Sequence, residues 1–211
     1  MVQTPVEKRK LSRRTVVASV LILLMIPVTL VVCVGLFGRT HYYITALLVM
    51  LECMLPFFMV FEGRRPQARE LTIIAVLCAL GVAGRAAFFM LPQFKPVMAL
   101  TIIAGVAFGG ETGFLVGAMT MLASNVLFSQ GPWTPWQMLG FGLVGFLGGV
   151  LFAGRKVRLV PLLLYGFFSV LIVYGVLLDT ASMLMYNAVP SWQLWLATCA
   201  SGFVFNLIHA G

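Results

Sequence analysis

Three ionisable side chains sit inside apolar runs of this chain: Glu52, Arg85 and His209. An unpaired charge in hydrocarbon costs at least about 2.5–3.5 kcal/mol, so each must meet a partner or a cavity. Two readings of Arg85 stand level: a contact for an anionic or carbonyl-rich ligand, and an internal pair, for example with Glu52. Glu52 taken alone reads as structural. His209 with Asn206 reads as an interhelical hydrogen-bond pair, because no other His, Cys or acid has matching metal-ligand spacing. The segment from Asn125 to Gln137 (NVLFSQGPWTPWQ) is too apolar for a purely solvated loop and too rich in Gly and Pro for a continuous helix. Trp133 and Trp136 are either an interfacial aromatic belt or the walls of a pocket. Asn125, Gln130, Thr134 and Gln137 place amides and a hydroxyl beside them, and flat rings with amides suit a neutral, ring-bearing ligand. Segments carrying Gln93 and Lys95, and Asp179, Tyr186 and Trp192, complete a candidate pocket if they open on the same side.

Two stripes of small residues recur every four positions. Ala75, Ala79, Ala83 and Ala87 share one helix face and allow close approach by a neighbour, either a helix of the same chain or a partner subunit. Gly105, Gly109, Gly113 and Gly117 read as packing, with Gly109-Gly110 serving a turn. Cys33, Cys53, Cys78 and Cys199 all fall in apolar runs without metal spacing and read as buried small hydrophobes. Catalytic constellations are missing. There is no phosphate-binding P-loop, no Ser-His-Asp set and no paired carboxylates, so an enzyme is not expected. With only six acids, a carboxylate relay for ion coupling is thin.

The elements that must hold these groups are membrane helices. Of 211 residues, 61% are hydrophobic and 9% charged, against about a quarter charged in soluble domains. Mean hydropathy is +1.05. The apolar runs are continuous rather than alternating, which disfavours a membrane β-barrel. The net charge of +8 is spread as short clusters between apolar runs, which signals topology rather than nucleic-acid binding. A basic stretch at 1–15 precedes runs at roughly 16–37, 42–61, 71–91, 97–128, 134–154, 159–178 and 190–211. As one helix the 97–128 run would be about 48 Å long, against a hydrocarbon core of about 30 Å. If the chain turns back at 109–111, eleven of the fourteen Lys and Arg fall on one side; as a single span, only eight do. The positive-inside rule therefore predicts eight spans with a cytoplasmic N-terminus. Loops at 38–41, 92–96, 129–134 and 179–190 then face outward, and those at 62–70, 109–111 and 155–158 face inward.

Three segments carry a resemblance to a known family: RELTIIAVLCALGVAGRAAFF at 69–89, the stretch from Leu91 to Asn125, and SQGPWTPWQMLGFGLVGFLGG at 129–149. Over about 69–211 the chain resembles the substrate-binding (S) components of energy-coupling factor (ECF) vitamin transporters. The resemblance implies an all-α, six-helix core at 69–211, preceded by two additional helices at 16–68. It also implies a non-catalytic subunit of a bacterial plasma-membrane transporter, without a cofactor of its own. The subunit would capture a vitamin outside and deliver it inward, while a transmembrane scaffold and two ATPase subunits supply the energy. Ala75, Ala79 and Ala83 would face the scaffold, and Phe89 joins Arg85 and the loop residues in the substrate set. The Gly-Pro-Trp-Thr-Pro-Trp-Gln loop is most similar to the branch assigned to cobalamin. Riboflavin, a queuosine precursor and another heterocycle stay open as ligands. A stand-alone secondary transporter or facilitator using Glu52, Arg85 and His209 is the alternative.

Overall fold

The computed structural model describes residues 24–37, 68–91, 96–186 and 191–210, with a few isolated positions before residue 53. The basic N-terminus, most of the 42–61 run, and Gln93 and Lys95 lie outside the described residues. Every regular element among the described residues is helical: α1 (Ile26–Phe37), α2 (Ala68–Ala87), α3 (Val97–Phe108), α4 (Gly110–Phe128), α5 (Thr134–Leu151), α6 (Leu159–Phe168), α7 (Gly175–Tyr186) and α8 (Trp192–Ala210). A π-helical stretch, Ser169–Tyr174, joins α6 to α7, so that 159–186 forms one continuous rod.

The contact register sets the topology. Cys78 Sγ–H points to the Val116 carbonyl and Arg85 reaches Ser124, so α2 and α4 run parallel. Between α4 and α5, Gly110 lies against Gly149 while Asn125 bonds Thr134, an antiparallel pair. Phe152 meets Tyr165 and Phe141 meets Tyr174, so the rod runs against α5. Asn206 lies on Gly175 and Trp195 on Thr180, so α8 runs against the rod. The C-terminal ends of α2, α4 and α7 therefore share one end of the bundle.

Apolar burial gives membrane helices little reason to associate, because lipid is as apolar as Leu; close packing must do it. Here glycine permits that packing. A Cβ on Gly105 would lie 2.0 Å from the Gly145 carbonyl oxygen, and one on Gly149 2.3 Å from the Gly110 nitrogen. Backbones of α3, α4 and α5 thus touch directly, and α5 is the central, most enclosed helix. The 97–128 run breaks at Gly109, whose φ of 110° only glycine adopts without strain. The four-residue glycine stripe is accordingly split, with Gly105 on α3 and Gly113 and Gly117 on α4.

Three described helical stretches are long and apolar enough to cross a membrane: Gly110–Phe128, Thr134–Leu151 and Leu159–Tyr186. Leu71–Ala87 and Val97–Phe108 are apolar but shorter. At 1.5 Å per residue α3 is about 18 Å long, against a hydrocarbon core of about 30 Å. The described helices thus form a membrane helical bundle, and the expected span at 16–37 lies partly, and that at 42–61 largely, outside the described residues. One expectation needs correcting. The break placed after residue 178 does not occur, and Asp179 and Ser182 lie within α7, not in a loop. Asp179 and the adjacent Thr180 serve a neighbouring helix: Asn206 Nδ2 donates to Asp179 Oδ2 at 2.9 Å, and Trp195 Nε1 donates to Thr180 Oγ1 at 2.9 Å.

Candidate functional site

Arg85 lies in the last turn of α2, where the helix's negative end favours a cation. Its Nη1 donates to Ser124 Oγ and to Asn125 Oδ1, each at 2.6 Å. Asn125 Nδ2 in turn donates to Thr134 Oγ1 at 3.0 Å and Gln137 Oε1 at 2.8 Å. One fully buried amide thereby couples the ends of α2 and α4 to the start of α5. The Phe128 ring lies 5.6 Å from the guanidinium carbon and stacks on Phe89 at 5.2 Å. Ring and cation attract electrostatically at that separation. Among the described residues, the hydrogen-bonding and ring contacts of Arg85 are all with neutral groups. Glu52 is not its partner; that carboxylate accepts a bond from Thr29 Oγ1 instead.

The predicted site residues divide by exposure. Phe89 and Gln130 are exposed; Arg85, Trp133 and Gln137 are half-buried. These could touch a ligand. Gln130 Nε2 reaches the Leu122 carbonyl only at 3.5 Å, and Trp133 folds back over Gly131, where a Cβ would clash with its ring. Asn125 and Thr134 are buried with their polar atoms engaged inside the network, so they position Arg85 and Gln137 rather than line a surface. Trp136 belongs to the hydrophobic core and not to the mouth; Pro135 and Trp136 open α5 with their bulk turned inward. Asp179 faces α8 part-way down the rod, away from this cluster. Tyr186 and Trp192 are exposed at the same end of the bundle, where Trp192 stacks on Trp195. Ser124 and Phe128 are neighbours of Arg85 that sequence reasoning missed. Their spacing of four put them on one face of α4, but only the parallel register of α2 brings Arg85 to that face.

The small-residue stripe of α2 turns outward. Ile74 and Gly81 are buried against α4, the latter on Thr120, whereas Ala75, Ala79, Ala83 and Ala87 are exposed. Among the described residues no other helix covers that face. His209 packs edge-on against Tyr174 and near Phe141, a position set by aromatic contacts. Among the described residues, no three His, Cys, Asp or Glu side chains gather closely enough to hold a metal ion.

A family model for the ECF transporter substrate-specific component matches residues 69–211. A UPF0397 protein of Vibrio atlanticus is 32% identical over 117 residues, covering 51% of this chain and 64% of that protein. UPF0397 proteins of Aliivibrio fischeri and Aliivibrio salmonicida are each 33% identical over 88 residues, covering 39% of this chain and 48% of theirs. The chain thus spans between about half and two thirds of the length of these curated relatives. No solved structure matches it.

Proposed function

The chain belongs to the family of ECF transporter substrate-specific components, and from that premise we propose that it captures a vitamin outside the cell and passes it inward. The capture site is the end of the bundle where α2, α4 and α7 terminate. The observation that carries this reading is the chain of bonds Arg85–Asn125–Gln137, rimmed by Phe89, Phe128 and Trp133. It offers a preorganised cation, an amide and flat rings at one end of the bundle, the combination that orients a ring-bearing polar ligand. Cobalamin is the ligand favoured by the Gly-Pro-Trp-Thr-Pro-Trp-Gln loop. Tyr186 and Trp192 extend the same rim, and Gln93 and Lys95 also take part in binding the ligand.

The exposed Ala75–Ala79–Ala83 face is the docking surface for a transmembrane scaffold, which brings two ATPase subunits. Eight crossings with a cytoplasmic N-terminus, in a bacterial plasma membrane, complete the arrangement. The test is a pair of measurements. Purified chain in detergent should quench or shift its tryptophan emission with one vitamin from a panel, without ATP. Uptake into cells should require co-expressed scaffold and ATPases. Uptake by this chain alone, driven by a proton gradient, would refute the proposal.

A further inference from the structure

A cavity of about 490 Å³, none of whose lining residues belongs to the Arg85 network, opens between α3, α6 and the end of α8. Ala99 and Ile103 form one wall, Leu163 and Gly166 the other, and the lining side chains are apolar except for His209. Along the rod it reaches from Leu159 to Val170, eleven steps or about 16 Å of helix. Half of a bilayer's hydrocarbon core is about 15 Å. Along that wall the cavity is therefore about one leaflet deep. Its shallow end, Leu159, directly follows Arg155, Lys156 and Arg158, all exposed. Three cations at the mouth of a leaflet-deep apolar slot match the two halves of one kind of molecule.

We propose that this slot seats an acyl chain of an anionic phospholipid whose headgroup is held by Arg155, Lys156 and Arg158. Basic residues beside grooves between membrane helices bind such headgroups, each cation contributing attraction that falls away within a Debye length. The hydrocarbon walls supply the sequence-independent part of the affinity, and the cations supply the preference for charge. A second copy of the chain would cover the slot without needing the cations.

Native mass spectrometry of the purified chain, offered equal phosphatidylglycerol and phosphatidylcholine of the same chain length, tests this. The wild-type chain should retain one phosphatidylglycerol in at least ~10-fold preference. Replacing the three exposed cations together (R155Q, K156Q, R158Q) should bring the ratio near one while some lipid is still retained. Narrowing the slot from either wall, by Ala99→Phe or Gly166→Leu, should remove the retained lipid; a variant whose melting temperature falls is set aside in favour of the other. Equal retention of the two lipids by the wild type would overturn the proposal. So would a preference that survives loss of the cations, lipid retained by a normally melting slot variant, or a dimer mass in place of the lipid adduct.

Discussion

Replacing Arg85 by Met keeps the aliphatic stem and removes the cation. Hydrogen bonds to a charged group contribute about 1.5–3 kcal/mol each, and Arg85 makes two, from a single nitrogen to Ser124 and Asn125. The change also leaves the Asn125 Oδ1 atom buried without a donor, which costs about 1–3 kcal/mol. Against this, a half-buried cation no longer needs to be desolvated. The net loss expected is about 2–4 kcal/mol, or a fall in melting temperature on the order of 5–15 °C for a chain of this size. The double-mutant cycle Arg85→Met with Asn125→Leu should show coupling of about 1.5–3 kcal/mol, because the second change removes the acceptor that the first leaves bare. Arg85→Lys keeps the charge but not the planar fork, so it should lose less stability than Met while still weakening ligand binding. Thermal unfolding in detergent, followed by tryptophan emission and paired with vitamin titration, reads both quantities. An unchanged melting temperature for R85M, with additive effects in the cycle, would refute the view that this network ties α2, α4 and α5 together. Full affinity in a well-folded R85M would remove Arg85 from the binding site.

Three further outcomes are expected. Gly145→Ala puts a methyl group 2.6 Å from the Gly113 carbonyl oxygen and 2.6 Å from Thr101 Cγ2, so it should cost about 1–3 kcal/mol in thermal unfolding; Gly35→Ala, with nothing near its added Cβ, serves as the clash-free control and should not lower stability. Ala79→Leu should prevent co-purification with the scaffold while leaving vitamin affinity intact, and loss of affinity with normal assembly would reverse the assignment of that face. Trp136→Ala should lower stability by about 3–5 kcal/mol as a core truncation, whereas Trp133→Ala should spare stability and reduce the fluorescence response to ligand.

Composition was enough to read a helical membrane protein, because too few charges exist to coat a soluble surface and no other backbone arrangement suits continuous apolar runs. The turn at Gly109 was legible for a similar reason: one straight helix is too long for the bilayer. The end of the rod was not. Asp179, Thr180 and Ser182 look like a loop along the chain, since sequence shows polarity but not its partner. Asn206 and Trp195, far along the chain, turn two of these residues into interhelical bonds. Trp136 misled in the opposite sense. Trp at an apolar–polar boundary suits an interface, yet its place on the first turn of the central helix turns it into the core.

Local chemistry therefore determined the class of protein, the positions of its breaks and the residue types available for binding, because hydropathy and glycine's freedom act over a few residues. Register decided the rest. Whether Arg85 meets Glu52 or Asn125, and whether the alanine face is covered or bare, depends on which helices lie side by side and in which direction. Backbone contacts among Gly105, Gly113, Gly145 and Gly149, separated by as many as 44 positions in the chain, lock α3, α4 and α5 together, and Gly81 seated on Thr120 sets α2 against α4.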